Sequence, residues 1–178
     1  MVDSVKELTV DLHDYPADAP VFHRMAVRGI VRRGDSYLMV FSRKYGDCKF
    51  PGGGQEQGES CTDTLCREMR EETGYDVLPE TVQEYLLVHE RRKGFYGDLL
   101  CMDSYYYRCA VNDSVHPQNL QGYEIDEGYE ACWLTLPEAI RRNESVQENK
   151  AWVQRELAVL RLLHAQEAGM LPGHKEER

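Results

Sequence analysis

Residues 53–75 read GGQEQGESCTDTLCREMREETGY, and this stretch decides the fold. Consecutive glycines favour unusual backbone angles over a packed element, so a loop is expected before position 60. Apolar side chains then recur at helical spacing and form one stripe, which predicts a helix over residues 60–73. The residues of this stripe are Cys61, Leu65 and Met69. Ser60 or Thr62 can cap the start of the helix, and Gly74 can end it.

Three carboxylates lie in the last two turns of this helix, at Glu68, Glu71 and Glu72. They span an arc of about 100° and a rise of about 6 Å, so they share one helix face. Carboxylates four residues apart repel each other, whereas a hard divalent cation would reverse the sign of that interaction. Acidic clusters on helices are usually solvated faces, so the spacing of the neighbouring residues decides between the two interpretations. Arg67 can pair with Glu59 and hold the loop against the helix.

Seven residues stand at the fixed spacing G-x5-E-x7-R-E-U-x-E-E-x-G-U, and they are Gly53, Glu59, Arg67, Glu68, Glu71, Glu72 and Gly74. A chance match at seven positions is on the order of 10⁻⁹ per starting point. The stretch resembles the signature of the Nudix hydrolases, and the preceding FPG of residues 50–52 is similar to the usual entry to it. Tyr75 departs from the pattern, which normally ends on an aliphatic residue.

The resemblance implies an α/β class fold, an α/β/α sandwich on a mixed sheet, over residues 22–168. It also implies a hydrolase that uses Mg²⁺ or Mn²⁺ to cleave a nucleoside diphosphate linked to another group. The metal ligands would be Glu68, Glu71 and Glu72, with a backbone carbonyl at Gly52 or Gly53. A further acidic residue is expected from the loop before the last strand. The acidic residues there are Glu124, Asp126, Glu127 and Glu130. The resemblance favours Glu127, because its position six residues before Trp133 is similar to the spacing in mutator-type nucleoside triphosphatases.

Two carboxylates, Glu68 and Glu127, are the alternatives for the general base. Glu72 and Arg67 complete the expected catalytic set. Positive charge for the phosphates is expected from segments outside the signature. The residues proposed for this are Arg43, Lys44 and Arg91, with Arg92 and Lys93 beside them.

The rest of the chain mixes strands and helices, which argues for α/β or α+β. A hairpin is expected in which residues 25–31 and 37–41 flank Arg33-Gly34-Asp35. A polar loop is expected at residues 112–122. An amphipathic helix that covers the sheet is expected at residues 149–166. Further strands are expected at residues 85–90, 99–111 and 130–136, followed by a short helix that opens at Pro137. Residues 1–21 are expected to be a lead-in, and residues 169–178 a flexible tail. The last helix is also a candidate homodimer surface.

Composition excludes several classes of function. The 178 residues carry 31 Asp and Glu against 21 Lys and Arg, a net charge of −10 that does not favour nucleic acid or an anionic membrane surface. None of the six cysteines forms a CxxC pair, so zinc-finger and redox motifs lack support. No apolar run is long enough to cross a bilayer and the N-terminus does not read as a signal peptide, so a cytoplasmic protein is expected.

The substrate is predicted only by elimination. The sequence features expected of ADP-ribose, dinucleoside polyphosphate and coenzyme A pyrophosphatases are absent or out of register, which favours a nucleoside triphosphate pyrophosphatase. An ADP-ribose or other nucleotide-sugar pyrophosphatase stays open, as does a Nudix-like nucleotide sensor without catalysis. A diphosphate isomerase is disfavoured because no partner cysteine is identifiable. Phe95, Tyr96 and residues 105–107 are alternatives for stacking on a base.

Overall fold

The computed structural model describes residues 5–147 and 150–169. Four helices and eleven strands form within these residues. The strands are β1 (Lys6–Asp11), β2 (Val21–Ile30), β3 (Arg32–Arg33), β4 (Ser36–Ser42), β5 (Cys48–Lys49), β6 (Gly52–Gly54), β7 (Tyr75–Val77), β8 (Gln83–Lys93), β9 (Leu99–Arg108), β10 (Val111–Val115) and β11 (Tyr129–Thr135). The helices are α1 (Cys61–Thr73), α2 (Tyr123–Glu127), α3 (Leu136–Glu144) and α4 (Ala151–Glu167), with a 3-10 turn at Pro79–Thr81.

The main sheet is mixed and has the order β1-β8-β9-β2-β6. Its β1/β8 and β2/β9 pairs are parallel, whereas β8/β9 and β2/β6 are antiparallel. A second, antiparallel sheet has the order β11-β4-β3, with β5 also paired to β4. This arrangement places β6, which precedes α1, beside the middle of β2.

The helices cover opposite sides of the sheets. Leu65 and Met69 of α1 pack with Val27 and Leu38 in one core cluster. Leu136 of α3 and three apolar residues of α4 lie in the other cluster, with side chains of β4, β8 and β9. The predicted α/β/α sandwich on a mixed sheet is therefore confirmed. Within the described ranges, no helix combines the length and apolar character that a membrane span requires.

Helix predictions agree with the structure more closely than strand predictions. Helix α1 begins after the Ser60 cap and ends at Gly74 as expected. The closing helix covers the sheet: Val153, Leu157, Leu160 and Leu163 are all buried within this chain. The predicted start of that helix at position 149 lies outside the described residues, as do residues 170–178 of the expected tail.

Several strand predictions need correction. The predicted hairpin turn is present at Gly34 and Asp35, but the strands that it joins are β3 and β4. Residues 25–30, which were predicted to lie in its first strand, belong to β2 in the main sheet. Residues 52–54 form strand β6 instead of a loop, and β10 occupies the first part of the expected loop at 112–122. Residues 6–11 of the expected lead-in form β1, an edge strand of the main sheet. These strands gain their backbone hydrogen bonds from distant partners, which local patterns do not identify.

Candidate active site

Helix α1 is fixed at both ends by local chemistry. The Ser60 hydroxyl accepts from the Asp63 N–H, and the Asp63 carboxylate accepts from the Ser60 N–H, a capping box at the N-terminus. At the C-terminus Gly74 takes a left-handed conformation with φ of 77°. A Cβ there would lie 2.0 Å from the His116 carbonyl oxygen, so glycine also permits the close approach of the loop after β10.

Strand β6 runs close to the acidic face of α1. A Cβ on Gly52 would lie 2.0 Å from the Val27 carbonyl oxygen, and one on Gly53 would lie 2.5 Å from Oε1 of Glu68. Both contacts are far shorter than van der Waals distance. Gly53 therefore leaves the space into which the Glu68 carboxylate extends, and Gly52 permits the close approach of β6 to β2.

Glu72 is the most deeply placed acid of the site and is fully buried. Its Oε2 accepts from the Gly52 N–H at 2.7 Å, and its Oε1 lies 3.0 Å from the Lys49 ammonium. The same ammonium lies 4.3 Å from the centre of the Tyr129 ring. Lys49 was not predicted as a site residue. Its position four residues before Gly53 was the only sequence feature that could have indicated it.

Three carboxylates come together where α1 faces α2. Glu68, Glu72 and Glu124 each offer an oxygen within 4.8 Å of the others. Burial raises the pKa of Glu68 and of Glu124, and the Glu72 charge raises both further, while Arg67 opposes the shift at Glu68. The Gln121 N–H donates to Glu124 at 2.9 Å and orients it. Partly dehydrated carboxylates that repel one another fit a hard divalent cation with oxygen ligands.

The structure brings Glu124, and not the favoured Glu127, beside the helix acids. Glu127 lies at the end of α2, where its backbone carbonyl accepts from the Lys44 N–H at 3.1 Å. Asp126 is exposed, and Glu130 pairs with Arg43. The distance in sequence from Trp133 could not identify this acid. The loop folds into α2, and this fold brings Glu124, but not Glu127, close to the acids of α1.

Arg67 ties the glycine strand to the helix. It contacts Glu59 through two nitrogens at 2.6 and 3.0 Å and donates to the Gly54 carbonyl at 3.1 Å. It also reaches Glu68 at 2.8 Å and Glu71 at 3.3 Å. Hydrogen bonds from Arg67 are the first cause that lowers the pKa of Glu59 to about 2. The expected Arg67–Glu59 pair is present, and Glu71 is turned toward Arg67.

The three cations that were predicted to bind phosphates each contact another side chain of this protein. Arg43 pairs with Glu130, the Lys44 ammonium lies 5.1 Å from the Tyr45 ring centre, and Arg91 lies 3.8 Å from Asp11. A separate cavity of about 640 Å³ runs beside β11 and is lined by Thr73, Gln118 and Arg142 among others. Gln118 connects this cavity to the acidic site, because its side-chain amide donates to the backbone carbonyl of Glu72.

A mixed sheet lies between helices, and carboxylates of one helix are gathered against a glycine strand. These features define an α/β protein with an acidic site whose oxygens could hold a divalent cation. A family model described as the NUDIX domain matches residues 22–157, and the chain belongs to this family. The prediction of a Nudix hydrolase, an enzyme that acts on phosphoric anhydride bonds, is therefore confirmed. A comparison with curated proteins found no match.

Solved structures show the same fold at low identity. A NUDIX hydrolase from Nitrosomonas europaea has a TM-score of 0.55 and 20% identity over 88% of this chain and 100% of that chain. The mutator MutT protein from Bacillus halodurans has a TM-score of 0.51 and 21% identity over 67% and 72%. An ADP compounds hydrolase has a TM-score of 0.53 and 17% identity over 83% and 74%.

Proposed function

We propose that this protein uses Mg²⁺ or Mn²⁺ to hydrolyse a diphosphate linkage in a nucleoside diphosphate derivative, with a nucleoside triphosphate as the leading substrate. The observation that carries the proposal is the approach of Glu68, Glu72 and Glu124 to within 4.8 Å beside strand β6. Such an arrangement suits a cation that also contacts substrate phosphates. The substrate is a small nucleotide, not a nucleic acid.

Each carboxylate has a proposed role. Glu68, Glu72 and Glu124 would hold the cation, with Glu71 and the carbonyl of Gly53 as further ligands. The Gly52 carbonyl is the weaker alternative, because the Arg28 guanidinium lies 3.4 Å from it. When bound, the cation neutralises the diphosphate and acts as a Lewis acid toward it.

Glu68 is the preferred acceptor for the proton of the attacking water. Its carboxylate belongs to the acidic group that would hold the cation and its bound water, whereas Glu127 lies outside that group. Glu127 remains the alternative base. Arg67 would act as a positioning residue, because it links Glu59, Glu68 and the glycine strand.

The substrate class stays a proposal. Of the similar structures, one is named a mutator MutT protein and another an ADP compounds hydrolase, which keeps a nucleoside triphosphate and an ADP-ribose type of substrate as the two alternatives. A sensor without catalysis is disfavoured because every glutamate of the signature is present. A cytoplasmic location is also proposed. A homodimer through α4 has less support, since most of the apolar residues of α4 are buried within the chain.

Hydrolysis of a nucleotide panel with Mg²⁺, followed by product identification, tests the proposal. We expect the wild type to cleave at least one nucleoside triphosphate or nucleotide sugar. Glu72→Gln should lower turnover by about 100-fold. Glu144→Gln is the control, because Glu144 is exposed on α3 and pairs with Arg161. Wild-type turnover in Glu72→Gln, or no cleavage of any nucleotide by the wild type, would contradict the proposal.

A further inference from the structure

A buried network of charged side chains lies between α4 and the main sheet, on the side away from α1. Its members are all buried, and they are Arg28 of β2, Glu90 of β8, and Arg155 and Glu156 of α4. Arg155 bridges the two acids, with 2.8 Å to Glu90 and 3.1 Å to Glu156. The signature does not contain any of these residues.

Glu156 connects this network to the strand that enters the site. Its Oε2 accepts from the Phe50 N–H at 3.0 Å, while its Oε1 accepts from the Tyr106 hydroxyl at 3.0 Å and from Arg155. The carboxylate therefore receives donors on both oxygens. A backbone amide of the segment that leads into β6 is one of them.

Arg28 contacts the backbone carbonyl groups of the same segment. Its Nη1 lies 3.5 Å from the Phe50 carbonyl and 3.4 Å from the Gly52 carbonyl, and its Nε lies 4.0 Å from Glu156. The N–H of Gly52 donates to Glu72 at 2.7 Å. Residues 50–52 are thus fixed by Glu156 and Arg28 on one side and bonded to Glu72 on the other.

We propose that Glu156 and Arg28 are positioning residues that set the divalent-cation affinity of the acidic group by fixing the peptide groups of residues 50–52 and, through the Gly52 N–H, the carboxylate of Glu72. The inference rests on the proposed function. Groups that hold the ligands of a metal typically change its affinity when they are removed, although they do not touch the ion. A contribution to stability alone explains the network less well. Well-packed apolar residues that replace a buried ion pair often stabilise a protein as much as the ion pair does.

Glu90 supplies a matched control for this proposal. Like Glu156 it is fully buried and accepts from Arg155, at 2.8 Å, and it also accepts from Arg92 at 2.7 Å. An amide at either position removes a buried negative charge that pairs with Arg155, so Glu156→Gln and Glu90→Gln disturb the same network. Only Glu156 bonds to the segment before β6.

The experiment measures the binding of Mn²⁺ alone by electron paramagnetic resonance, with thermal unfolding of each variant recorded in parallel. We expect both variants to unfold at lower temperature, and Glu156→Gln to weaken Mn²⁺ binding by about 10-fold, with Glu90→Gln within about twofold of the wild type. Amide hydrogen exchange at Gly52 should be faster in Glu156→Gln only. Equal Mn²⁺ affinity in the two variants would overturn the proposal and leave the network a purely structural role.

Arg28→Lys is the second test if Glu156→Gln does not fold. Lysine keeps a buried cation opposite Glu156, but its shorter side chain does not reach the position from which Nη1 contacts the Phe50 and Gly52 carbonyls. We expect Mn²⁺ binding to weaken in this variant as well, and unchanged affinity would overturn the proposal. If the proposed function itself is wrong, the result is different, because the wild-type protein then binds no Mn²⁺ at all. Tight binding by the wild type and by both positioning variants would contradict only the inference.

Discussion

At the scale of single residues, Gly53 shows how close approach determines the site. A Cβ at this position would meet the Glu68 carboxylate, whereas a Cβ on Gly54, the next residue of the same strand, would lie 3.1 Å from the flexible end of Arg24. Glycine is therefore a steric requirement at position 53 and not at position 54. The sequence could predict that glycine is needed, but not which contact needs it.

Gly53→Ala should displace the Glu68 carboxylate and lower the rate of nucleotide hydrolysis by about 10-fold, with Gly54→Ala close to the wild type. Steady-state kinetics with Mg²⁺ measures both. An equal effect of the two substitutions would contradict this steric explanation, because the added methyl groups differ only in what they meet.

Glu59 gives a pH prediction. Its pKa is lowered from 4.5 to about 2, first by Arg67 and then by the Glu56 N–H. The folded-state pKa is below the unfolded one, so its contribution to stability is complete above the unfolded pKa and is lost as the pH falls through the folded pKa. Glu59→Gln should lower the unfolding temperature by about 2–4 °C at neutral pH, and the difference from the wild type should close as the pH falls from 4.5 toward about 2.

Circular dichroism during heating at a series of pH values measures this difference. Glu56→Gln is the control, because Glu56 is an exposed neighbour in the same loop. A difference between Glu59→Gln and the wild type that stays constant across this pH range would show that the ion pair with Arg67 is not its source.

At the scale of elements, α1 was predictable because its boundaries depend on nearby residues. The Ser60 cap, the apolar stripe and Gly74 are all within the helix or next to it. Strands β1, β6 and β10 were missed because their partners are far away in sequence. Local chemistry therefore defined the helix that carries the acids, but not the strand that faces it.

Gly74→Ala should destabilise the protein more than Gly34→Ala. Both glycines have positive φ, 77° and 58°, so each substitution carries a backbone cost of about 1–2 kcal/mol. Only at Gly74 would the new Cβ also clash with the His116 carbonyl, whereas nothing lies within 4 Å at Gly34. Urea denaturation measures the free energy of unfolding of each variant. Equal losses would mean that the loop after β10 moves freely away from α1.

At the scale of the whole molecule, the fold brings three separate parts of the chain to one place. Helix α1 supplies Glu68 and Glu72, strand β6 supplies the glycine backbone, and α2 supplies Glu124. The signature predicted that the acids of α1 and the glycine backbone before them belong to one site, because they are close in sequence, but it did not predict that the glycines form a strand. The third depends on how the loop before β11 folds over α1, and spacing alone favoured Glu127 instead. Lys49 was missed for the same reason, because only the tertiary fold brings it to Glu72.

The proposed function depends above all on Glu68, Glu72 and Glu124 holding a divalent cation against the glycine strand. Anomalous X-ray diffraction from a crystal of the wild-type protein soaked in Mn²⁺ would locate the ion itself. We expect an anomalous peak within coordination distance of these three carboxylates. A peak elsewhere, or a set of ligands that includes Glu127 and leaves out Glu124, would contradict this assignment.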